Sequence, residues 1–329
     1  MDINFKAKFE AEGSYNLVVL DKEGNRVEEK CVNNNKNVVT YWGANEFLLV
    51  QSNPFKNLYA GVGTGVSEIT RDATNLGSPA FSRSAAVNGP TRLEAESDNG
   101  DGTSTLDLTR AFSFGLGVIT GTISEVGVFA SATGENLVAG QLIKDEFGNP
   151  TTITLLSDEQ LIVTYTLKFI VPNAPFLAGS GTVQDALSNS YDYEVWGQQY
   201  FSRSAPSSVS NTRYNNASYT NTNQSAVFHS ASGSVLHARN GASAGSLNRT
   251  DGTVSITSQR YTAPPSAYSG DTAFISLGSG DQGPLDSVSP PTARDNNSNS
   301  CPWVVSFSPA LPKTANDTLQ IRLQGTLEL

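Results

Sequence analysis

The chain has 329 residues, of which 21 are Lys or Arg and 31 are Asp or Glu, so its formal net charge is −10. This acidic balance argues against nucleic-acid binding, and no apolar run approaches the roughly 18 residues that a membrane-spanning helix needs. With two His, two Cys and one Met, the composition also argues against an enzyme, a metal site or a bound cofactor.

Strand patterns dominate the first part of the chain. Ser14–Leu20 and Arg26–Val32 flank a polar turn at residues 21–25, which predicts a hairpin. The apolar residues of Lys36–Val50 have a partly helical spacing, which favours a short helix near residues 36–50 even though Gly43 weakens it.

Further strands are predicted from β-branched and alternating residues. A second hairpin joins two of them across the sequence SDNGDG, and the predicted strands are Leu93–Glu96, Thr103–Thr109, Ile119–Phe129, Asn136–Ile143 and Leu161–Ile170. Between residues 201 and 300, 41 of 100 residues are Ser, Thr or Asn, but aromatic residues persist throughout. We therefore expect solvated β structure with long loops there rather than a disordered linker.

An internal repeat is the most informative pattern. Phe129–Ala139 matches Phe228–Ala238 without a gap, and both read F-x-S-A-[S/T]-G-x-x-L-x-A. Two other landmarks recur in the same order, namely FSRSA at 81–85 and 201–205 and an apolar strand at 161–167 and 319–327. The repeat predicts a mostly β protein made of two related β-sandwich-like domains that arose by internal duplication.

The spacing of the landmarks predicts the domain limits. Prolines end the Leu161–Ile170 strand at Val171–Pro175, so we expect an N-terminal domain at 1–171 and a C-terminal domain at 172–329. The second copy is longer before its closing strand, which places an insertion near 245–305. Trp303–Phe307 and Leu319–Leu323 alternate apolar and polar residues, so the segment Trp303–Leu329 is expected to be core.

Both histidines are interpreted as hairpin surface residues. His229 and His237 align with Ala130 and Val138 of the first copy, so the same hairpin forms there without an imidazole. A hydrolase or metal role would need an orienting carboxylate or further ligands, which the pattern does not indicate.

Three other segments suggest chemistry at first sight. Cys31 and Cys301 are expected to be free thiols, with one long-range disulfide as the alternative. Asp98–Asp107 resembles a calcium loop, but its spacing is more typical of a tight turn. Gly61–Gly65 lacks the spacing and the lysine of a phosphate-binding loop. No catalytic, cofactor-binding or metal-binding residue is therefore predicted.

The order of motifs in the first half resembles the virion structural proteins of tailed bacteriophages, especially tail-, collar- and fibre-associated β proteins. The motifs are NLYAGVGTG at 57–65, GTISEVGVF at 121–129, Leu137–Leu142 and VTYTL at 163–167. The resemblance covers about residues 55–170. An Arg usually follows the L-x-A motif, but Gly140 and Gln141 stand here, so no binding residue is carried over.

The resemblance implies a non-enzymatic structural component of the virion, most simply a tail, neck or collar, or fibre-anchoring protein. Such a protein acts through contacts with other virion proteins, is a homo-oligomer and assembles in the host cytoplasm, which agrees with a first segment that has no signal-peptide core. The alternative is a capsid-decoration protein or a receptor-binding tail tip that recognises a host surface glycan. A glycan-degrading enzyme is disfavoured because Glu194 and Glu328 are the sole glutamates of the second half.

Overall fold

The computed structural model is mostly β. It describes residues 1–44, 58–87, 95–172, 175–197, 225–239, 246–250, 253–258, 260–278, 282–295 and 303–328. The chain divides into two compact units. The N-terminal unit consists of residues 10–47 and 53–171, and the C-terminal unit consists of residues 1–9, 48–52 and 172–328.

Twenty-four strands are present in the described residues. In chain order they are β1 (Asp2–Lys8), β2 (Glu10–Leu20), β3 (Val32–Val39), β4 (Tyr59–Gly63), β5 (Ser84–Ala85), β6 (Ala95–Asp98), β7 (Thr103–Phe114), β8 (Gly121–Ile123), β9 (Glu125–Phe129), β10 (Leu137–Leu142), β11 (Ile153–Leu155), β12 (Gln160–Pro172), β13 (Phe176–Gln184), β14 (Ser190–Gly197), β15 (Ser225–His229), β16 (Val235–Arg239), β17 (Ser246–Thr250), β18 (Thr253–Thr257), β19 (Tyr261–Ala263), β20 (Thr272–Gly278), β21 (Gln282–Val288), β22 (Pro291–Asp295), β23 (Trp303–Leu311) and β24 (Leu319–Glu328). Glu28–Lys30 and Pro265–Ala267 are 3₁₀ helices, and residues 41–44 are α-helical.

The N-terminal unit is built on one sheet with the strand order β5-β4-β9-β10-β3-β2-β12-β7-β6. β3 pairs with β2 along most of its length and with β10 at its end. Gly13 of β2 lies opposite Asn37, and Ala139 of β10 lies opposite Val39. At the far side, the Val87 N–H donates to the Ala111 carbonyl (2.8 Å), next to a bridge between residues 86 and 112. β5 is thereby joined to β7, and the sheet closes on itself.

Period-2 alternation determines the core of this unit. β2 and β12 pair over eleven positions from Leu20 opposite Gln160 to Glu10 opposite Ile170. Their inward side chains are all buried: Tyr15, Leu17, Val19, Leu161, Val163, Tyr165, Leu167 and Phe169. This is the pattern expected of strands with one face on a core.

Two local predictions in this unit are wrong in part. The strand predicted at Arg26–Val32 is a single bridge followed by the 3₁₀ helix, and the return strand begins at Val32. The helix predicted near 36–50 is strand up to Val39, because Val38 and Val39 pair with β10. Thr40 then begins a helical turn by accepting the Gly43 N–H on its hydroxyl; residues 45–50 lie outside the described residues.

The C-terminal unit contains the first strand of the chain, which differs from the predicted domain limits. β1 pairs in parallel with β24, from Asp2 opposite Arg322 to Lys8 opposite Glu328. An Asp2–Arg322 ion pair (2.6 Å) and a Lys6–Glu328 ion pair (2.7 Å) flank this pairing. Near the predicted limit, the two units divide between Val171 and Pro172, and β12 continues to Pro172.

Two larger sheets form this unit, one with the order β13-β14-β23-β20-β15-β16 and one with β1-β24-β18-β17, where β19 also pairs with β24. Phe5 connects them, because its ring centroid lies 4.2 Å from that of Trp303. Gly325 and Gly179 leave room for this ring and its backbone, since a Cβ on Gly325 would overlap the ring and one on Gly179 would lie 2.9 Å from the Phe5 Cα. Trp303, Ile321 and Leu323 are at most 2% exposed, which confirms the prediction that this segment is core.

A buried lysine fixes the loop after β19. Lys313 is 3% exposed, and its ammonium group donates to the carbonyls of Pro265 (3.1 Å), Tyr268 (2.9 Å) and Thr314 (3.3 Å). It also lies 4.7 Å from the centroid of the Tyr268 ring. The charge is therefore compensated by backbone dipoles and an aromatic face.

Phe5→Ala should lower the free energy of unfolding of the C-terminal unit by about 3–5 kcal/mol, because it leaves a cavity beside Trp303. Hydrogen exchange followed by mass spectrometry checks this. Peptides from residues 172–328 should lose protection while peptides from residues 10–171 keep it, and the exposed Phe147→Ala is the matched control. Loss of protection confined to residues 10–171 would show that β1 stabilises the other unit.

Candidate functional site

A buried carboxylate organises the loop that follows β4. Glu125 is 0% exposed and lies opposite Gly63 in the β4–β9 pairing. Its Oε1 accepts the N–H groups of Gly65 (3.0 Å) and Ser78 (2.7 Å), and its Oε2 accepts the N–H of Gly77 (2.9 Å). Three backbone donors thus replace the water that a carboxylate loses on burial.

The glycines of GVGTG are required by close approach. A Cβ on Gly61 would lie 2.8 Å from the Phe129 ring, one on Gly63 would overlap the Glu125 carboxylate, and one on Gly65 would lie 2.6 Å from it. The three glycines alternate along one face, which is the period of a strand. The GVGTG and EVGVF motifs are therefore two halves of one contact.

An arginine joins the two repeated landmarks of the N-terminal unit. The Arg83 guanidinium lies 3.3 Å from the centroid of the Phe129 ring. It donates to the Ser131 carbonyl (3.0 Å) and the Gly134 carbonyl (2.8 Å) in the turn between β9 and β10, and to the Asn136 side chain (3.1 Å). FSRSA and F-x-S-A-[S/T]-G are thus one packing unit here; the second FSRSA, at 201–205, lies outside the described residues.

Several loops gather at one end of the N-terminal unit. Neighbouring strands are antiparallel, so the ends of β2, β4, β7 and β10 and the starts of β3, β9 and β12 lie together. We call this the loop end; it comprises residues 21–31, 64–68, 115–124 and 143–159. It includes the small β8–β11 sheet and the exposed side chains of Val66, Leu116, Val118, Phe147 and Leu156.

The loop end contains an open cleft of about 350 Å³. Its lining is mainly polar and comes from residues 29–33, 35, 144–146 and 151–153. Two lysines of the lining already have partners: Lys30 pairs with Glu159 (2.6 Å) and Lys144 pairs with Glu68 (3.2 Å). Burial raises the pKa of Glu159, but the hydrogen bonds from Lys30 and the Leu156 N–H outweigh it, and the net pKa is lowered.

Three turns share one design that the sequence analysis did not detect. In Asp21–Asn25, Asp145–Asn149 and Asp185–Asn189, the Asp carboxylate accepts both the N–H and the side-chain amide of the Asn. The fourth residue has a positive φ in each: +84° at Gly24, +84° at Gly148 and +65° at Ser188. The third residue is held outward; Phe147 is 79% exposed and Leu187 is 82% exposed.

The surface interpretation of His229 is wrong. His229 is 0% exposed; its Nδ1 lies 3.2 Å from the Gly233 carbonyl and its Nε2 lies 2.7 Å from the Ser276 hydroxyl. The carbonyl requires a proton on Nδ1, so Nε2 accepts the Ser276 proton. Burial lowers the pKa of His229 to about 4, and the Gly233 hydrogen bond offsets only part of that effect. The ring is a neutral core residue; His237 lies in the neighbouring strand, opposite Phe228.

The other candidate segments are structural. Cys31 is a free thiol whose Sγ lies 3.3 Å from the Val27 carbonyl, and Cys301 lies outside the described residues. Asp98–Asp107 forms the predicted hairpin turn, in which Asp98 accepts the Gly100 N–H and Asp101 accepts the Thr103 N–H. Across the part of the chain that the structure describes, no three His, Cys, Asp or Glu side chains group as metal ligands.

Comparison with models of known protein families gives no match, and comparison with curated proteins gives none either. Among the described helices, none has the length and apolar character needed to cross a membrane.

Glu125→Gln should lower the free energy of unfolding of the N-terminal unit by about 2–4 kcal/mol, because the amide places a donor against backbone N–H groups. Urea denaturation of the full chain measures the change. The exposed Glu146→Gln is the control and should stay within about 0.5 kcal/mol of the natural chain. Equal stabilities of the two variants would contradict the role of Glu125.

The stability of the chain should fall as the pH drops from about 6.5 towards about 4, because the unfolded state binds a proton on His229 that the folded state excludes. The contribution of His229 to this loss is at most about 3 kcal/mol. Denaturation of the natural chain and of His229→Gln at several pH values tests it. The stability advantage of the natural chain should shrink with falling pH; an advantage independent of pH would rule out a neutral buried imidazole.

Proposed function

We propose that this chain is a non-enzymatic structural component of a tailed-phage virion, in a tail, neck or collar, or fibre-anchoring position. It acts through contacts with other virion proteins and as a homo-oligomer, and it is assembled in the host cytoplasm. The proposal rests mainly on the structural role of the motifs that resemble phage virion proteins. GVGTG and EVGVF meet at Glu125, where they form a rigid support for exposed loops.

The character of the loop end supports a role in assembly. Five large apolar side chains there are more than half exposed, and turns with internal hydrogen bonds hold several of them. Exposed apolar groups on a rigid base are typical of protein–protein contact surfaces, since little conformational entropy is lost on binding. Rotational symmetry is the usual arrangement for copies of one chain around a tube.

We also propose that the two units are related β-sandwich-like domains from an internal duplication. The hairpins β9–β10 and β15–β16 support this: Val128 pairs with Ala139, and Val227 pairs with Ala238 at the aligned positions. Gly134 and Gly233 have φ values of +89° and +79°. The surrounding strands have diverged, because β9 pairs next with the preceding β4 whereas β15 pairs with the following β20.

Electron microscopy of labelled particles tests the proposal. A short epitope inserted between Ala186 and Leu187, in an exposed turn outside the loop end, should be decorated by antibody at the tail or neck in several symmetric copies per particle. Label spread over the head or confined to the tail tip would instead favour capsid decoration or glycan recognition. Particles without label, from cells that express the tagged chain, would contradict a virion role.

A further inference from the structure

The loop end carries exposed apolar side chains on hydrogen-bonded turns. Leu116, Val118 and Leu156 are 53%, 55% and 53% exposed. Their two turns are joined, because the Gly117 N–H donates to the Glu159 carbonyl (3.1 Å). The Val118 N–H also donates to the Gly115 carbonyl (3.1 Å), and the Glu159 N–H donates to the Leu156 carbonyl (3.1 Å). The backbone that carries these side chains is therefore held in place before any partner binds.

Phe147, in the turn whose first residues line the cleft, is a further exposed apolar side chain of the loop end. The Glu159 carboxylate accepts the Leu156 N–H (2.8 Å) and pairs with Lys30, which lines the cleft. Asp145 and Glu146 line the same cleft, and Phe147 follows them in its turn with 79% exposure. The surface thus combines exposed aliphatic groups, a polar cleft and an exposed aromatic ring.

The charges at this surface are mostly negative. The segments 28–31, 115–118, 144–149 and 156–159 contain six carboxylates and two lysines, a net charge of −4. Both lysines are in ion pairs, with Glu159 and Glu68. Glu29 and Glu146 are exposed at the cleft, so the charge that a partner meets there is acidic.

We propose that the loop end is a docking surface for a protein partner that presents lysine or arginine next to apolar side chains. The basic side chain enters the cleft near Glu29 and Glu146, and the apolar side chains cover Phe147, Leu156 and their neighbours. A second copy of the same surface is disfavoured, because an isologous contact would oppose the same acidic groups. An anionic membrane is disfavoured for the same reason. The inference rests on the proposed function for its biological setting.

Binding of synthetic peptides to the full chain tests this. Three fluorescent peptides of equal length, made of Lys and Leu, Glu and Leu, or Lys and Ser, are compared by anisotropy at physiological salt. The Lys/Leu peptide should bind most tightly. Phe147→Ser combined with Leu156→Ser should weaken its binding at least about tenfold, or about 1.4 kcal/mol. Leu187→Ser, an exposed leucine at the matching position of the same turn type, should leave it unchanged.

Cys31 lines the cleft, so its thiol reports whether a bound peptide covers the cleft. Its reaction with a maleimide, followed on the Cys31 peptide by mass spectrometry, should slow when the Lys/Leu peptide is bound. The inference is overturned if the Glu/Leu peptide binds as tightly as the Lys/Leu peptide, or if Leu187→Ser weakens binding as much as the Phe147→Ser and Leu156→Ser double variant does. It is also overturned if the bound peptide leaves the reactivity of Cys31 unchanged, or if the chain binds anionic phospholipid vesicles instead of the peptide. The assay needs no particle, so particles without label would remove the proposed function and leave this result intact.

Discussion

The N-terminal unit depends on the hydrogen bonds that the buried Glu125 carboxylate accepts from the loop after β4. Moving such a group out of water costs several kcal/mol unless its oxygens receive donors. Gly65, Gly77 and Ser78 provide three, and they can do so only because glycines at positions 63 and 65 let the loop approach the carboxylate. The carboxylate thus determines both the glycine spacing and the path of the loop. Through the Glu68–Lys144 ion pair, that loop also borders the cleft.

The C-terminal unit uses a charge of the opposite sign in a similar way. Lys313 gathers three carbonyl groups where Glu125 gathers three N–H groups. In both units one buried polar side chain bonds several backbone groups of a loop at once. Such a side chain favours one conformation of the loop, because removing it leaves several backbone groups without hydrogen-bond partners. Epitope insertions should therefore leave intact the loops that Glu125 and Lys313 hold.

Local pattern was sufficient for much of the fold. The β-branched runs, the Asp21–Asn25 turn, the hairpin around Asp98 and the buried segment after Trp303 all follow from period-2 alternation and turn chemistry, which act between near neighbours. Long-range partners were not predictable in this way. β1 pairs with β24, which lies at the opposite end of the sequence, and no local signal indicates that partner. The Lys36–Val50 segment was assigned to helix because its spacing is ambiguous; the pairing of Val38 and Val39 with β10 makes its first residues strand, and residues 41–44 are helical.

The site was less predictable than the fold. The GVGTG and EVGVF motifs were visible, but their contact depends on the register that places Gly63 opposite Glu125. His229 was assigned to the surface because the first copy of the repeat forms the same hairpin without an imidazole; its buried partner, Ser276 of β20, is 47 residues away in the sequence. The exposure of Phe147 had a detectable signal, because the D-x-x-G-N spacing at 21–25 recurs at 145–149 and places the third residue outward.

Native-state hydrogen exchange of the unmodified chain, followed by NMR at individual amides, tests the role of the Glu125 carboxylate most directly. The N–H groups of Gly65, Gly77 and Ser78 should exchange only when the N-terminal unit unfolds, with the same free energy of opening as the core amides of β12. The amide of Val66, whose side chain is 85% exposed, should exchange orders of magnitude faster. If Gly65, Gly77 and Ser78 exchange as fast as Val66, the carboxylate does not hold the loop and the account is wrong.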